Sequence, residues 1–322
     1  MEGGGGKLHK WVYLVLLLLL VGCSNEKFDA IEPTESFIAT VNILQPSLQF
    51  FNEQGELFTE WALDETYSGA TLVQDDFVLL YGNQLTKAHL YELSSGRRVY
   101  TIETPIGTTN GYYDEESDQI FLTNSETNKL YVFNRNGEEV GEIQMRNYPM
   151  SMIAFEGRLF VVNYKDTILS IVDSRTLQVV DEWPIESSSH GLWVDTKNEQ
   201  LWIGGHGAGT KVNDLVKIFD MTKGTIVKEL TVPMMPVAIA GNEHQQAIVS
   251  HGSNMLYTIE NESIVNEQKI AANPFAVTYF NDQIVIAGYD DATLYFIEQG
   301  QTVNEATTNK GPFQLLTRED PL

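Results

Sequence analysis

One repeating pattern limits the fold of this 322-residue chain more than any other feature. Prolines set its beat at Pro105, Pro149, Pro236, Pro274 and Pro312, spaced 44, 87, 38 and 38 residues apart, and His190 stands in place of a proline near the middle of the double-length gap. Each unit opens with a short apolar segment, such as Met150–Ala154, Val237–Ala240 or Phe275–Tyr279. A β-rich run follows: Phe77–Tyr81, Ile120–Thr123, Leu159–Val162, Leu201–Ile203, Ala247–Val249 and Ile284–Ile286. A third, alternating segment comes next, for example Lys129–Phe133 or Leu294–Ile297, then a turn rich in Asp, Asn, Ser and Gly, and then a polar fourth strand such as Val179–Pro184. Four short strands about every 40 residues, joined by hairpin chemistry, describe a propeller blade. Nothing after the amino-terminal apolar run shows a sustained helical period.

Residues 68–312 supply six units. Upstream, Phe50 to Glu56 mirrors Val132 to Glu138 as the hairpin between a third and a fourth strand. Downstream, Phe313–Thr317 supplies one opening strand and nothing more. The expectation is therefore an all-β, seven-bladed propeller. Its closing blade takes one strand from Phe313–Thr317 and three from Phe37–Leu63, so the ring keeps no free seam. The proline-led first strand, the apolar second strand and the hairpins Asp173–Thr176 and Asp220–Gly224 resemble the YVTN-type, lactonase-like propellers, which are akin to WD-repeat propellers. Phe121 to Asn124 and Phe160 to Asn163 come nearest to the family's Tyr-Val-Thr-Asn. The resemblance covers about residues 36–317 and implies the fold, while leaving function open among enzymes, binders and scaffolds.

The first residues carry Lys7 and Lys10, then an uncharged run from Trp11 to Val21. About ten apolar residues suit a secretory signal, whereas roughly twenty are needed to span a bilayer. Leu20, Val21, Gly22 and Cys23 then resemble the lipobox of bacterial lipoproteins, and Cys23 is the only cysteine in the chain. The resemblance implies cleavage before Cys23 and acylation of its thiol, with a second acyl signal making the anchor stable. The expected organisation is a signal peptide over 1–22, a flexible tether over 23–35 and a propeller over 36–322. The expected location is the extracytoplasmic face of the cell membrane, held there by lipid.

With 44 acidic against 20 basic residues the net charge is −24. Such a surface repels phosphate backbones, so nucleic acid is not an expected partner. Gly204 to Lys211 resembles a phosphate loop, but Thr210 and Lys211 stand in reverse order and a strand follows where a helix is required. No Gly-x-Ser-x-Gly elbow or His-Glu-x-x-His occurs, and the acidic turn at Asp114, Glu116 and Asp118 lacks the Gly and closing Glu of a calcium loop. No cofactor and no metal is expected.

One constellation remains. In a blade, the loop between the second and third strands shares a face with the connection to the next blade. Reading the residue just after each second strand gives Tyr81, Asn124, Tyr164, His206, His251 and Tyr289, to which His190 and Asp290 are added. These are the ligand-face candidates, because seven loops converge there on a rigid scaffold. The leading expectation is a non-catalytic binding or scaffold protein for a protein, peptide or glycan partner. The alternative is a lactonase-like hydrolase or lyase, with His190, His206, His251 and Asp290 binding a metal or serving as acid and base.

Overall fold

The computed structural model describes residues 27–209 and 211–319. The expected signal peptide (1–22) and Cys23 lie outside the described residues.

Runs of β-branched and aromatic residues between Asp, Asn and Gly turns become strands throughout, as their propensities favour. The chain begins with β1 (Phe37–Asn42), β2 (Ser47–Phe51) and β3 (Leu57–Ala62). Blade 1 holds β4 (Gly69–Val73), β5 (Phe77–Tyr81), β6 (Lys87–Glu92) and β7 (Arg97–Glu103). Blade 2 holds β8 (Thr108–Asp114), β9 (Gln119–Asn124), β10 (Lys129–Asn134) and β11 (Glu139–Gln144). Blade 3 holds β12 (Pro149–Phe155), β13 (Arg158–Asn163), β14 (Ile168–Asp173) and β15 (Gln178–Pro184). Blade 4 is β16 (Ser189–Asp195), β17 (Gln200–Gly205), then β20 (Leu215–Asp220) and β21 (Thr225–Thr231), interrupted by a small hairpin of β18 (Gly207–Ala208) and β19 (Lys211–Val212). Blade 5 holds β22 (Pro236–Gly241), β23 (Gln246–Ser250), β24 (Met255–Glu260) and β25 (Ser263–Lys269). Blade 6 holds β26 (Pro274–Phe280), β27 (Gln283–Gly288), β28 (Thr293–Glu298) and β29 (Gln301–Thr307).

The last strand, β30 (Pro312–Arg318), pairs with β1 and completes a seventh sheet in the order β3-β2-β1-β30. Ile38 faces Thr317 and Val41 faces Gln314 across that seam. The inner strands touch in sequence around the axis, β4 to β8, β12, β16, β22, β26 and β30, and β30 returns to β4. The ring is therefore closed as the sequence predicts, with seven blades and the closing blade shared between the chain ends.

Burial follows strand position. The second strands are buried almost continuously, because each lies between two neighbouring blades. The fourth strands are exposed except at their penultimate residue, where Trp61, Ile102, Ile143, Trp183, Leu230 and Ala306 plug the gap to an adjacent sheet. The mirrored hairpins act alike: Asn52 Oδ1 accepts from the N–H groups of Gln54 and Glu56, and Asn134 Oδ1 from those of Asn136 and Glu138. Gly55 and Gly137 supply the left-handed residue that each turn requires (φ 71° and 80°).

The expected tether needs correction from Lys27 onward. Phe28 stacks on Trp61 (4.7 Å between ring centres, 11° between planes), and its N–H donates to the Gly96 carbonyl at 2.8 Å. Ile31 is buried and donates to the Leu93 carbonyl at 2.9 Å. Two apolar side chains in an otherwise polar stretch suffice to dock it, and polarity of the whole segment hid them.

Candidate functional site: an aromatic crescent at the channel mouth

The face that carries the loops between second and third strands, and the connections between blades, is here called the upper face. In six blades the residue before the inner strand is left-handed: Gly107, Tyr148, Ser188, Met235, Asn273 and Gly311, with φ between 55° and 110°. The carbonyl of each accepts the N–H of the residue that follows the second strand, at 2.8–3.3 Å: Ser125, Tyr164, His206, His251, Tyr289 and Ile43 respectively. In the same six blades the ladder shifts register just inside the inner strand. A bulge of this kind re-aims a side chain, and the residues at the shift include Thr109, Met150, His190, Val237, Phe275 and Phe313.

These two positions, one on a loop and one on a bulge, build a continuous run of rings. Tyr148 lies 6.0 Å from Tyr164, and Tyr164 lies 6.0 Å edge-on to His206. His206 meets His190 at 5.9 Å and His251 at 5.0 Å. His251 meets Phe275 at 5.0 Å, and Phe275 lies 5.6 Å from both Tyr289 and Phe313. Lys165 Nζ caps the Tyr148 ring at 4.0 Å. The crescent thus crosses blades 3 to 7.

Five of the expected residues, Tyr164, His190, His206, His251 and Tyr289, come together in it. Three do not. Tyr81 and Asn124 are the last residues of their strands rather than the first beyond them, and a one-residue slip reverses the direction of a strand side chain. Tyr81 is buried between inner strands and its hydroxyl engages Thr71, the Gly111 backbone and Gln314, while burial raises its pKa. Asn124, 0% exposed, ties a turn: its amide donates to the Pro105 and Ile106 carbonyls, and its oxygen accepts from Glu126 and Thr127. Their true rim equivalents, Gly82 and Ser125, carry no ring, so the crescent stops at blade 3. Asp290 is exposed and uses its backbone N–H on the Ala272 carbonyl. The neighbouring Asp291 instead holds the loop, accepting from the Ala272 N–H and the Tyr295 hydroxyl.

The position of His190 also shifts by one residue. Ser189 pairs with Gly205 as Pro149 pairs with Asn163, so Ser189 replaces the proline and His190 matches Phe275 and Phe313. Phe275, Phe313 and Tyr148 were absent from the sequence-based set. Their signal was the Pro-Phe pair opening two inner strands and the Tyr-Pro pair opening a third.

Two of the three histidines are held toward the neutral form by burial. His190 Nδ1–H donates to the Val237 carbonyl at 3.0 Å, and His251 Nδ1 shares a 3.0 Å hydrogen bond with the Asn273 side chain. Burial lowers the pKa of His190, and burial together with the adjacent His190 and His251 rings pushes His206 down to about 4. The named partners are a carbonyl and an amide, not the carboxylate that would orient a general base. Among the described residues no group of three or more His, Cys, Asp or Glu side chains could hold a metal ion. The crescent therefore offers planar apolar area with polar ring edges, which suits recognition.

The depressed His206 pKa has a measurable sign. Unfolded, the imidazole takes its proton near pH 6.5; folded, only near 4. Between those values the unfolded chain binds more protons, so stability falls as pH falls through the window. The melting temperature of the wild type is expected to drop more steeply from pH 6.5 to 4 than that of His206→Gln. Parallel curves, read by circular dichroism, would contradict the burial argument.

The glycine run beside His206 has a packing role. A β-carbon on Gly205 would fall 2.5 Å from the Ser188 carbonyl oxygen, and one on Gly204 would collide with the Pro236 carbonyl. The acidic turn is likewise engaged internally: Asp114 accepts from Ser117, Asp118 accepts from the Tyr113 hydroxyl at 2.6 Å, and Glu116 pairs with Arg175 of the next blade.

No family model and no curated protein matches this chain. Solved structures do match. A functionally unknown protein from Desulfotomaculum acetoxidans aligns with a TM-score of 0.75 at 8% identity, over 88% of this chain and 99% of that one. The computationally designed Ika8 protein aligns at 0.68 and 9% identity over 92% of both chains. BamB from Moraxella catarrhalis aligns at 0.61 and 10% identity, over 94% of this chain and 93% of its own. At such identities the likeness speaks to architecture alone, and with the closed ring of inner strands it makes the chain a seven-bladed β-propeller.

Proposed function

We propose that this chain is a non-catalytic binding protein, anchored through an acylated Cys23 on the extracytoplasmic face of the cell membrane, whose aromatic crescent captures an extended, largely uncharged peptide segment of a partner protein. The observation that carries the reading is the unbroken series of ring contacts from Tyr148 to Phe313 across five blades. Rigid aromatic groups give large contact area at small entropic cost, and they dominate the binding energy of most interfaces. His190 and His206, whose burial favours the neutral ring, add ring edges without adding charge. Grooves lined in this way suit proline-rich or apolar segments already close to an extended conformation. The lipobox resemblance around Cys23 supports the anchor.

The reading is tested by panning a random displayed-peptide library on the wild-type protein and measuring the selected peptides on Phe275→Ala and Phe313→Ala. Enrichment of aromatic, proline or aliphatic residues, with affinity falling at least tenfold in either variant, is the expected result. A tenfold loss corresponds to about 1.4 kcal/mol, within reach of one aromatic anchor. Peptides that bind both variants as tightly as the wild type, or a selection that enriches nothing, would overturn it.

A further inference from the structure

We infer that the crescent faces away from the membrane and that the opposite, lower face of the propeller is the membrane-proximal one, so that the crescent's partner approaches from the aqueous side. The inference rests on the proposed acylation of Cys23, and adds to it a direction fixed by the fold.

The amino-terminal segment is pinned at one place. Lys27 bridges to Arg97, Phe28 donates to the Gly96 carbonyl, and the Phe28 ring lies in the stack with Trp61 and Tyr91. Gly96 belongs to the turn between β6 and β7, which opens on the lower face. A β-carbon there would strike the Phe28 carbonyl, so the docking leaves no space for a side chain at that residue. From Cys23 to Lys27 there are four Cα steps of 3.8 Å, a reach of at most about 15 Å. Strands of six or seven residues at about 3.3 Å per residue separate the two faces by roughly 20 Å. The lower rim near blade 1 must therefore stay close to the lipid, and the crescent cannot reach it unless the segment from Lys27 to Ile31 is torn from its dock.

Charge adds a second asymmetry. The lower turns carry Asp75, Asp76, Glu115, Glu116, Asp118, Glu138, Glu243 and Glu262 among their acids, which outnumber the bases there, Arg135, Arg175, Lys197 and Lys223. The upper loops are less acidic, because Arg146, Lys165, Lys211 and Lys310 stand against a smaller set of acids such as Asp166, Glu186 and Asp214. Within a Debye length of an anionic leaflet the acidic lower turns are repelled. The lower face is thus tethered near the bilayer without embedding in it, and the crescent is presented clear of the headgroups.

Because Cys23 is the chain's only cysteine and acylation consumes its thiol, new cysteines can be labelled selectively. Glu115→Cys and Glu243→Cys place a donor dye on lower turns; Gln84→Cys and Lys310→Cys place it on upper loops. All four positions are exposed. The acylated full chain is reconstituted on phosphatidylcholine vesicles that carry a short-range acceptor on the lipid headgroup. Energy transfer from the lower labels is expected to exceed that from the upper labels at least twofold. Equal transfer, or stronger transfer from Gln84→Cys and Lys310→Cys, would overturn the orientation while leaving the anchor intact. A Cys23→Ser chain that still sediments with the vesicles would instead overturn the anchor, and with it the premise of the orientation.

Discussion

Arg318→Leu is expected to destabilise the protein by about 2–4 kcal/mol, because several charge-assisted hydrogen bonds are lost at once. The guanidinium is only 3% exposed and its partners are backbone carbonyls: Nε and Nη2 donate to Glu35 at 3.0 and 2.8 Å, Nη2 also to Glu32 at 2.7 Å, and Nη1 to Asp75 at 2.9 Å. It also lies 4.6 Å over the Phe37 ring. One side chain therefore ties the end of β30 to the segment entering β1 and to the first turn of blade 1. Burial works against its charge, while Asp76, Asp75 and Glu35 work in its favour. Leucine could fill much of the volume but would strip the Glu35 and Asp75 carbonyls of their Arg318 donors and leave Glu32 only the Glu35 N–H, and each lost bond to the charged guanidinium is worth about 1.5–3 kcal/mol. Arg318→Lys, which keeps the charge and loses the planar fork, should fall between the two. Urea unfolding midpoints check the order; a leucine variant within about 1 kcal/mol of wild type would show that the clamp is dispensable.

The second large effect is expected at Trp61→Ala. The indole is 0% exposed and contacts Phe28, Phe50 and Tyr91, while its N–H donates to the Asp29 carbonyl at 2.9 Å. Removing a buried indole of this kind costs about 3–5 kcal/mol through lost transfer energy and the cavity left behind. Here part of that loss is local, because the segment from Lys27 to Ile31 has its main apolar dock on this ring. Phe28→Ala isolates the local part: it should leave the propeller's unfolding transition nearly in place while exposing the bond after Lys27 to trypsin. Equal tryptic resistance in the wild type and Phe28→Ala would mean that the backbone bonds to Gly96 and Leu93 hold the segment without the stack.

The blades were legible because their turns are chemically explicit. Asn52 and Asn134 do in the fold what their matching contexts suggested, and Phe77–Tyr81 coincides with β5 residue for residue. The seam was legible for the same reason, since one opening strand remained unpaired at one end and three strands at the other. The site was legible only in part. Reading one residue beyond a strand demands the strand's end to the residue, and in blades 1 and 2 the reading fell one short, taking the buried Tyr81 and Asn124 for rim residues. Phe275 and Phe313 escaped because a bulge, which periodicity does not reveal, turns the second residue of an inner strand toward the mouth. Phe28 and Ile31 escaped because two apolar residues among acids carry no period at all.

The pairing of Ile38 with Thr317 has a consequence for how the molecule is made. A chain emerging amino end first can assemble each blade from neighbours as they appear, but its first three strands lack their inner partner until the final segment has been delivered. Closure is thus the last event of assembly, and it joins the most distant parts of the chain, the slowest kind of contact to form. A chain shortened by even the residues after Gly311 would lose the inner strand of blade 7 and leave an open ring, with the edge of β1 bared to other molecules.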